Sequence, residues 1–318
     1  MSGTPHREAG MRQPDEYPSR VGGEPGLLDR NDPVDYTDDP EVSPLRRSHV
    51  DDYKRDGFVT IDRLFDASEI HVITDELVRL RAERGRQDDE SVIMEPKSTV
   101  VRSIFEVHKT SPVFARLVRD SRLVDVAQYL LGDEVYVHQS RLNYKPGFVG
   151  REFYWHSDFE TWHIEDGMPR MRALSVSLGL TENVDVNGPL MLVPGSHLKY
   201  VSCGGETPEE HYRQSLRQQE YGVPPKELLG KLIEWGGIDA ITGPPGSATF
   251  FDCNTMHGSN SNITPFPRAN VFIVYNSISN RLQEPYGGKT PRPGFLAERS
   301  EYTPLKSISG RLRPGLGR

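Results

Sequence analysis

The chain has 318 residues, 38 of them Lys or Arg and 46 Asp or Glu, for a formal net charge of -8, which suits a protein with a sizeable core in one large domain or two small ones. No run of about 18 apolar residues occurs, and the opening MSGTPHREAGMRQPDEYPSR lacks an apolar leader core, so membrane and export are not expected and the cytoplasm is. The acidic balance leaves no basic stripe for nucleic acid, and two cysteines, Cys203 and Cys253, are too few for a disulfide framework and match no zinc spacing.

Residues 1–48 are rich in Pro, Gly, Asp and Arg and read as an N-terminal arm, extended or partly disordered, with Tyr17 and Tyr36 as points that could dock onto a core. Residues 49–318 read as the folded domain. A turn at Asp56-Gly57 leads into a short strand through Phe58, Val59 and Ile61. Asp66 with Glu69 makes a capping box, and Ile70, Ile73, Leu77 and Leu80 follow at spacings of three and four, which predicts an amphipathic helix. A second helix is predicted from Ser111-Pro112, and a third over Ser121 to Leu131, stopped by Gly132.

After Gly132 the period falls to two. VYVHQSRLNY alternates weakly, RALSVSLGL sets Leu174, Val176, Leu178 and Leu180 against Ser175, Ser177 and Gly179, and ANVFIVYNS is a β-branched and aromatic run. Turn residues punctuate these runs at Lys145-Pro146-Gly147, Asn187-Gly188-Pro189, Pro194-Gly195 and Gly243-Pro244-Pro245-Gly246. Helices followed by many short strands predict a mainly β fold, a sandwich or barrel with flanking α-helices. The polar, helix-prone interval 203–237 interrupts the strands as an insertion or a lid.

His156 and Asp158 stand two apart in FYWHSDFETWH, so on a strand both side chains would leave one face. His-x-Asp alone is a weak signal, and His163-Ile164-Glu165 offers a competing triplet. Downstream, His257 ends a strand-like run, followed by Ser259 and then Arg268 at the start of the next strand. Two histidines and one carboxylate on one face of an ion make the facial triad of non-haem Fe(II) oxygenases, with positions left open. If 2-oxoglutarate is the cosubstrate, its far carboxylate needs a buried cation. Arg268 can meet it bidentately, with Ser259 adding a hydrogen bond.

His156-x-Asp158, the turn NGPLMLVPGSH and His257 with Arg268 resemble the phytanoyl-CoA dioxygenase superfamily of Fe(II)/2-oxoglutarate oxygenases. More narrowly, FYWHSDFETWHIEDGMPRMRALSVSLGLTENVDVNGPLMLVPGSH resembles the signature region of the ectoine hydroxylases, and the likeness runs from DEYPSR through SISNRLQEPYGG. The resemblance implies a double-stranded β-helix (jelly-roll, cupin-like) core, and conversion of ectoine to 5-hydroxyectoine with Fe(II), O2 and 2-oxoglutarate, releasing succinate and CO2. It implies a homodimer, with iron on His156, Asp158 and His257. It further implies 2-oxoglutarate on Arg268, Ser259, Asn143 and Phe153, and substrate on Gln139, Arg141, Trp162, Phe251 and Phe272.

The substrate set has a chemical basis. Ectoine carries a carboxylate on an amidinium ring, so Arg141 and Gln139 suit one end, and Trp162 with Phe251 or Phe272 suits the other by cation–π attraction of roughly 0.5–2 kcal/mol each. Arg141 could instead pair with a structural acid. His138, His163 and His197 read as non-ligands and Cys253 as a buried apolar residue. Competing functions are hydroxylation of another small zwitterion such as proline, a cupin-type metal enzyme without 2-oxoglutarate, and a non-catalytic cupin-like binding module.

Overall fold

Chain order begins with a strand, β1 (Gly26–Asp29), then helix α1 (Arg47–Asp56), β2 (Phe58–Ile61) and the long helix α2 (Ala67–Arg84). These come from a computed structural model, which describes residues 15–37, 42–85, 89–96, 98–216 and 221–313. Next are β3 (Val92–Met94), β4 (Val101–Phe105), α3 (Val107–Thr110), α4 (Pro112–Leu117), α5 (Ser121–Leu131), β5 (Val135–Lys145), β6 (Phe153–His156) and α6 (Asp158–Asp166). The second half holds β7 (Ala173–Gly179), β8 (Leu190–Leu192), β9 (Lys199–Ser202), α7 (Tyr212–Ser215) and α8 (Lys226–Gly236). β10 (Asp239–Ile241), β11 (Ala248–Asp252), β12 (His257–Ser259) and β13 (Arg268–Ser277) follow.

Local chemistry accounts for the helix ends. Asp66 accepts from the backbone N–H groups of Ser68 and Glu69 while Glu69 reaches back to the Asp66 N–H, so the capping box of α2 forms. Ser111 caps α4 at Phe114 with Pro112 in its first turn, and Asp120 caps α5, which ends on left-handed Gly132. Helix α1 was not expected from the sequence, because it buries only Val50 and Tyr53 and so carries too thin an apolar stripe.

Two antiparallel sheets face one another, one of seven strands in the order β2-β11-β7-β13-β5-β4-β3 and one of four in the order β10-β8-β12-β6. This is the double-stranded β-helix. The outer face of the large sheet, including Leu174, Val176 and Leu178, joins Phe65, Ile73, Leu77, Leu123 and Val124 in the main core beneath the helices. The other face of β7 turns inward, where Ser175 reaches Asp158 and Ser177 accepts from Asn270. Strand β1 pairs with β9, outside both sheets, and Tyr17 is fully buried against Phe159 and Tyr200.

Candidate active site

His156 closes β6 and His257 opens β12, and the register of the two strands sets them directly opposite. Their ring centroids are 4.2 Å apart. Asp158 departs from the expected geometry, because it lies in the first turn of α6 rather than on a strand. Extended Ser157 is the N-cap, with its hydroxyl on Asn254, and Asp158 and Glu160 complement the positive helix end. The chain therefore turns between the two residues, and Asp158 swings back beside both imidazoles. Its Oδ1 stands 3.7 Å from Nε2 of His156 and 3.8 Å from Nε2 of His257.

Each imidazole is oriented from behind. Nδ1 of His156 donates to the Tyr154 carbonyl at 2.7 Å and Nδ1 of His257 to the Thr255 carbonyl at 3.0 Å, which leaves both Nε2 lone pairs aimed at a common centre. Burial, then the neighbouring His257, pushes His156 down to about 3, so this ring is neutral and able to ligate. Burial alone would raise the Asp158 carboxyl, but the two imidazoles, Arg141 and the Ser175 hydroxyl hold it below the ordinary carboxylate range. All three candidate ligand atoms lie within 4.8 Å of one another. Two neutral nitrogens and one carboxylate oxygen, already locked by hydrogen bonds, fit a divalent first-row cation with positions left open on the cavity side.

A second set of groups lies between β13 and the turn at Gly188. Arg268 is buried, and its guanidinium donates to the Gly188 carbonyl at 2.6 Å, the one side-chain hydrogen bond it makes among the described residues. Beside it Lys145, also buried, donates to Ser259 at 2.8 Å and to the Asn260 carbonyl. Among the described residues no carboxylate pairs with either cation. Burial, with Arg102 and Arg141 adding, pushes Arg268 down to about 10, and burial with Arg268 and Arg102 pushes Lys145 down to about 6. A desolvated Arg268 without an anion is costly and Lys145 sheds its proton instead, so a ligand carboxylate would relieve both groups. Asn143 accepts from Ser103 at 2.7 Å, and Phe153 packs under Arg102 at 3.7 Å and near Lys145 at 5.6 Å.

The cavity over His156 and Asp158 is lined by Gln139, Arg141, Phe153 and Trp162. Gln139 donates to the Leu296 carbonyl at 2.7 Å. Among the described residues Arg141 has no acid partner, so the ion-pair alternative is not what the fold builds, and its guanidinium lies 4.9 Å from the Phe272 ring. Phe251 and Phe272 are not among the lining residues. They pack with Phe58, Leu190 and Leu192, and Phe251 stands 5.2 Å from the His257 ring.

The sequence gives no signal for several lining groups, among them Thr161, His211, Tyr221 and Arg292, and Glu165 stood there only in a competing triplet. Arg292 is held by Asp166 at 2.9 Å, and burial alone would raise the Glu165 carboxyl, but Arg292 and Arg20 hold it below its ordinary value. No local motif marks these residues, although the interval 203–237, which supplies His211 and Tyr221, stood out as a candidate lid. Lys145 was read only as part of a turn. His138 is the extra residue of a β-bulge in β5, its ring set edge-on to Trp162 at 5.0 Å. His163 stacks on Tyr286, His197 meets the Lys54 carbonyl, and Cys253 is fully buried.

The phytanoyl-CoA dioxygenase (PhyH) family profile matches residues 53–270. An ectoine dioxygenase of Sphingopyxis alaskensis is 54% identical over 298 residues, covering 94% of this chain and 97% of that protein. One from Streptomyces coelicolor is 50% identical, covering 92% of this chain and 97% of its own. The crystal structure of EctD from S. alaskensis with 2-oxoglutarate and 5-hydroxyectoine superposes with a TM-score of 0.85 at 50% identity, covering 93% of this chain and 99% of that one. A structure of the same EctD with bound Fe gives 0.84 at 49% identity, covering 93% and 99%.

Proposed function

We propose, for a chain that belongs to the phytanoyl-CoA dioxygenase family, that it is an Fe(II)/2-oxoglutarate-dependent dioxygenase hydroxylating ectoine to 5-hydroxyectoine, with succinate and CO2 as coproducts. The observation that carries the reading is the convergence of His156, Asp158 and His257 on one centre, flanked on one side by unpaired buried cations and on the other by the cavity.

His156, Asp158 and His257 would hold iron. Bound iron with 2-oxoglutarate would supply the oxidising power, one oxygen atom of O2 going into succinate as CO2 leaves and the other into a ring C–H bond of ectoine, whose hydrogen is kept in the new hydroxyl. The protein's own part is placement and neutralisation. Arg268 and Lys145 would take the far carboxylate of 2-oxoglutarate, Ser259 would add a hydrogen bond, and Phe153 with Asn143 would wall the same subsite. Arg141 and Gln139 offer a cation and an amide to the ectoine carboxylate, and Trp162 offers a π-face to its amidinium. Phe251 and Phe272 back His257 and Arg141, so their contribution to the substrate is through the groups they support.

The sum of formal charges is consistent with a closed site. Iron, Asp158, the 2-oxoglutarate dianion and Arg268 cancel, before any proton that Lys145 takes up. We extend the reading to a homodimer in the cytoplasm without nucleic acid or membrane partners. Among the described residues no helix is long and apolar enough to cross a membrane.

The test is anaerobic loading with Fe(II) and 2-oxoglutarate, followed by oxygen and ectoine, with succinate and 5-hydroxyectoine followed by mass spectrometry. Both products in equal amounts are expected. Succinate stimulated by proline instead of ectoine would keep the triad and reject the substrate, and iron-loaded protein making neither product would reject the catalysis. A monomer's mass in light scattering would reject the dimer.

A further inference from the structure

Arg20 lies in the stretch DEYPSR, at the N-terminal edge of the sequence likeness and outside the family-matched residues 53–270. It is nonetheless among the most heavily engaged side chains near the cavity. Its backbone sits in the left-handed region at φ 54, a conformation that a non-glycine residue holds only when its surroundings impose it. Those surroundings come from three parts of the chain.

From α6, Glu160 receives Nε at 2.9 Å and also NH2, Glu165 receives NH1 at 2.5 Å, and the Thr161 hydroxyl receives NH2 at 3.2 Å. From the segment after β9, Thr207 Oγ1 receives NH1 at 2.9 Å, and the Arg20 N–H donates to the Cys203 carbonyl at 2.9 Å. That segment returns at Gly222, where a Cβ would lie 2.3 Å from the Arg20 guanidinium, so only glycine fits against it. Next to Gly222, Tyr221 lines the cavity, as do Thr161 and Glu165. Arg20 thus stands directly behind the cavity wall without being part of it.

Glu165 makes the arrangement consequential. It lies between two guanidiniums, with Arg20 at 2.5 Å and Nε of Arg292 at 3.9 Å. While Arg20 satisfies Glu165, Arg292 stays with Asp166, its partner at 2.9 Å, in the cavity wall. Without Arg20, the Glu160 and Glu165 carboxylates would both be buried without their shared cation, and Glu165, with Arg292 as its nearest cation, would draw that guanidinium off Asp166 and shift it in the cavity wall.

We propose that Arg20 is a positioning residue for the substrate cavity, holding Thr161, Glu165 and the segment at Thr207 and Gly222, and keeping Glu165 from displacing Arg292 from Asp166 in the cavity wall. The inference rests on the functional reading above. It requires the N-terminal arm to be part of the working site.

The test is steady-state kinetics of the full-length, iron-loaded protein with Arg20→Met and with Arg20→Met/Glu160→Gln/Glu165→Gln. The single variant is expected to raise the KM for ectoine about tenfold or more, with the KM for 2-oxoglutarate unchanged and succinate in excess of hydroxyectoine. The triple variant is expected to recover most of the ectoine KM, because it removes both stranded charges, which a merely structural role for Arg20 would not predict. If Arg20→Met does not fold, Arg20→Lys replaces it, keeping charge but losing the fork. An unchanged ectoine KM, or a loss that the paired Glu160→Gln/Glu165→Gln changes do not relieve, overturns the inference while the wild type still turns over ectoine. A wild type inert toward ectoine overturns the functional reading and this inference together.

Discussion

Asp158 and Arg268 divide the candidate site between metal and cosubstrate, and each can be removed separately. Asp158 contributes the only carboxylate of the three converging groups, so Asp158→Ala should abolish hydroxylation while the circular dichroism spectrum stays that of the wild type. Retained hydroxylation would strike Asp158 from the ligand set. Arg268 is buried with its guanidinium on a single carbonyl among the described residues, and Arg268→Ala should weaken 2-oxoglutarate by about 2–5 kcal/mol with little effect on iron, as read by titration calorimetry. Lys145 makes a pH signature. Burial holds it at about 6 in the free protein, below the ordinary lysine value of 10.5, so between these pH values the unfolded chain binds the extra proton. Stability from this group therefore rises with pH across that window. A bound carboxylate would pull the proton back, so 2-oxoglutarate binding near pH 7.5 should take up protons and weaken as pH rises. Calorimetry in buffers of different ionisation enthalpy should show the uptake in wild type and not in Lys145→Met.

At the scale of elements, the turn ahead of β8 shapes the cosubstrate subsite from the backbone. Gly188 has φ +71 and an added Cβ would sit 2.4 Å from the Asn260 carbonyl, so no side chain fits where its own carbonyl must accept from Arg268. Gly188→Ala should cost about 1–3 kcal/mol of stability and raise the KM for 2-oxoglutarate. A variant equal to wild type in both thermal midpoint and KM would show that the turn does not shape the subsite. Helix α6 plays the corresponding part for metal and substrate. One helix carries Asp158, Thr161, Trp162 and Glu165 into the cavity, while its other residues, Phe159, Glu160 and His163, face the N-terminal segment through Tyr17, Arg20 and Asp15.

For the whole molecule, the site joins groups from both sheets, from α6 and from segments outside the sheets, so ligands that bind it should tie these parts together. Fe(II) with 2-oxoglutarate at a hundred times its dissociation constant should add about 2.7 kcal/mol, raising the thermal midpoint by several degrees. Asp158→Ala should lose most of that rise, and a chelator should reverse it in the wild type. An equal rise in the Asp158→Ala protein would place the metal elsewhere. Residues 15–37 take part in the same assembly through the buried Tyr17, the Arg30–Asp252 pair at 2.8 Å and the β1–β9 ribbon.

The sequence by itself determined what repeats locally or carries chemistry in its side chains. The capping box at Asp66, the period-two run of β7 and the donors His156, Asp158, His257 and Arg268 were legible because each depends on residue type and near neighbours. The location of Asp158 was not, since the extended Ser157 that begins α6 depends on contacts with Cys253 and Asn254, nearly a hundred residues away. Helix α1 was missed because its stripe is thin. The cavity roles of Lys145, Glu165 and Arg292 were not legible because an isolated charge in a sequence looks alike whether it meets water or a cavity. Only the tertiary structure decided that: it buried these charges, withheld an anion from Lys145 and Arg268, and set Arg20 behind the wall that Glu165 and Thr161 form.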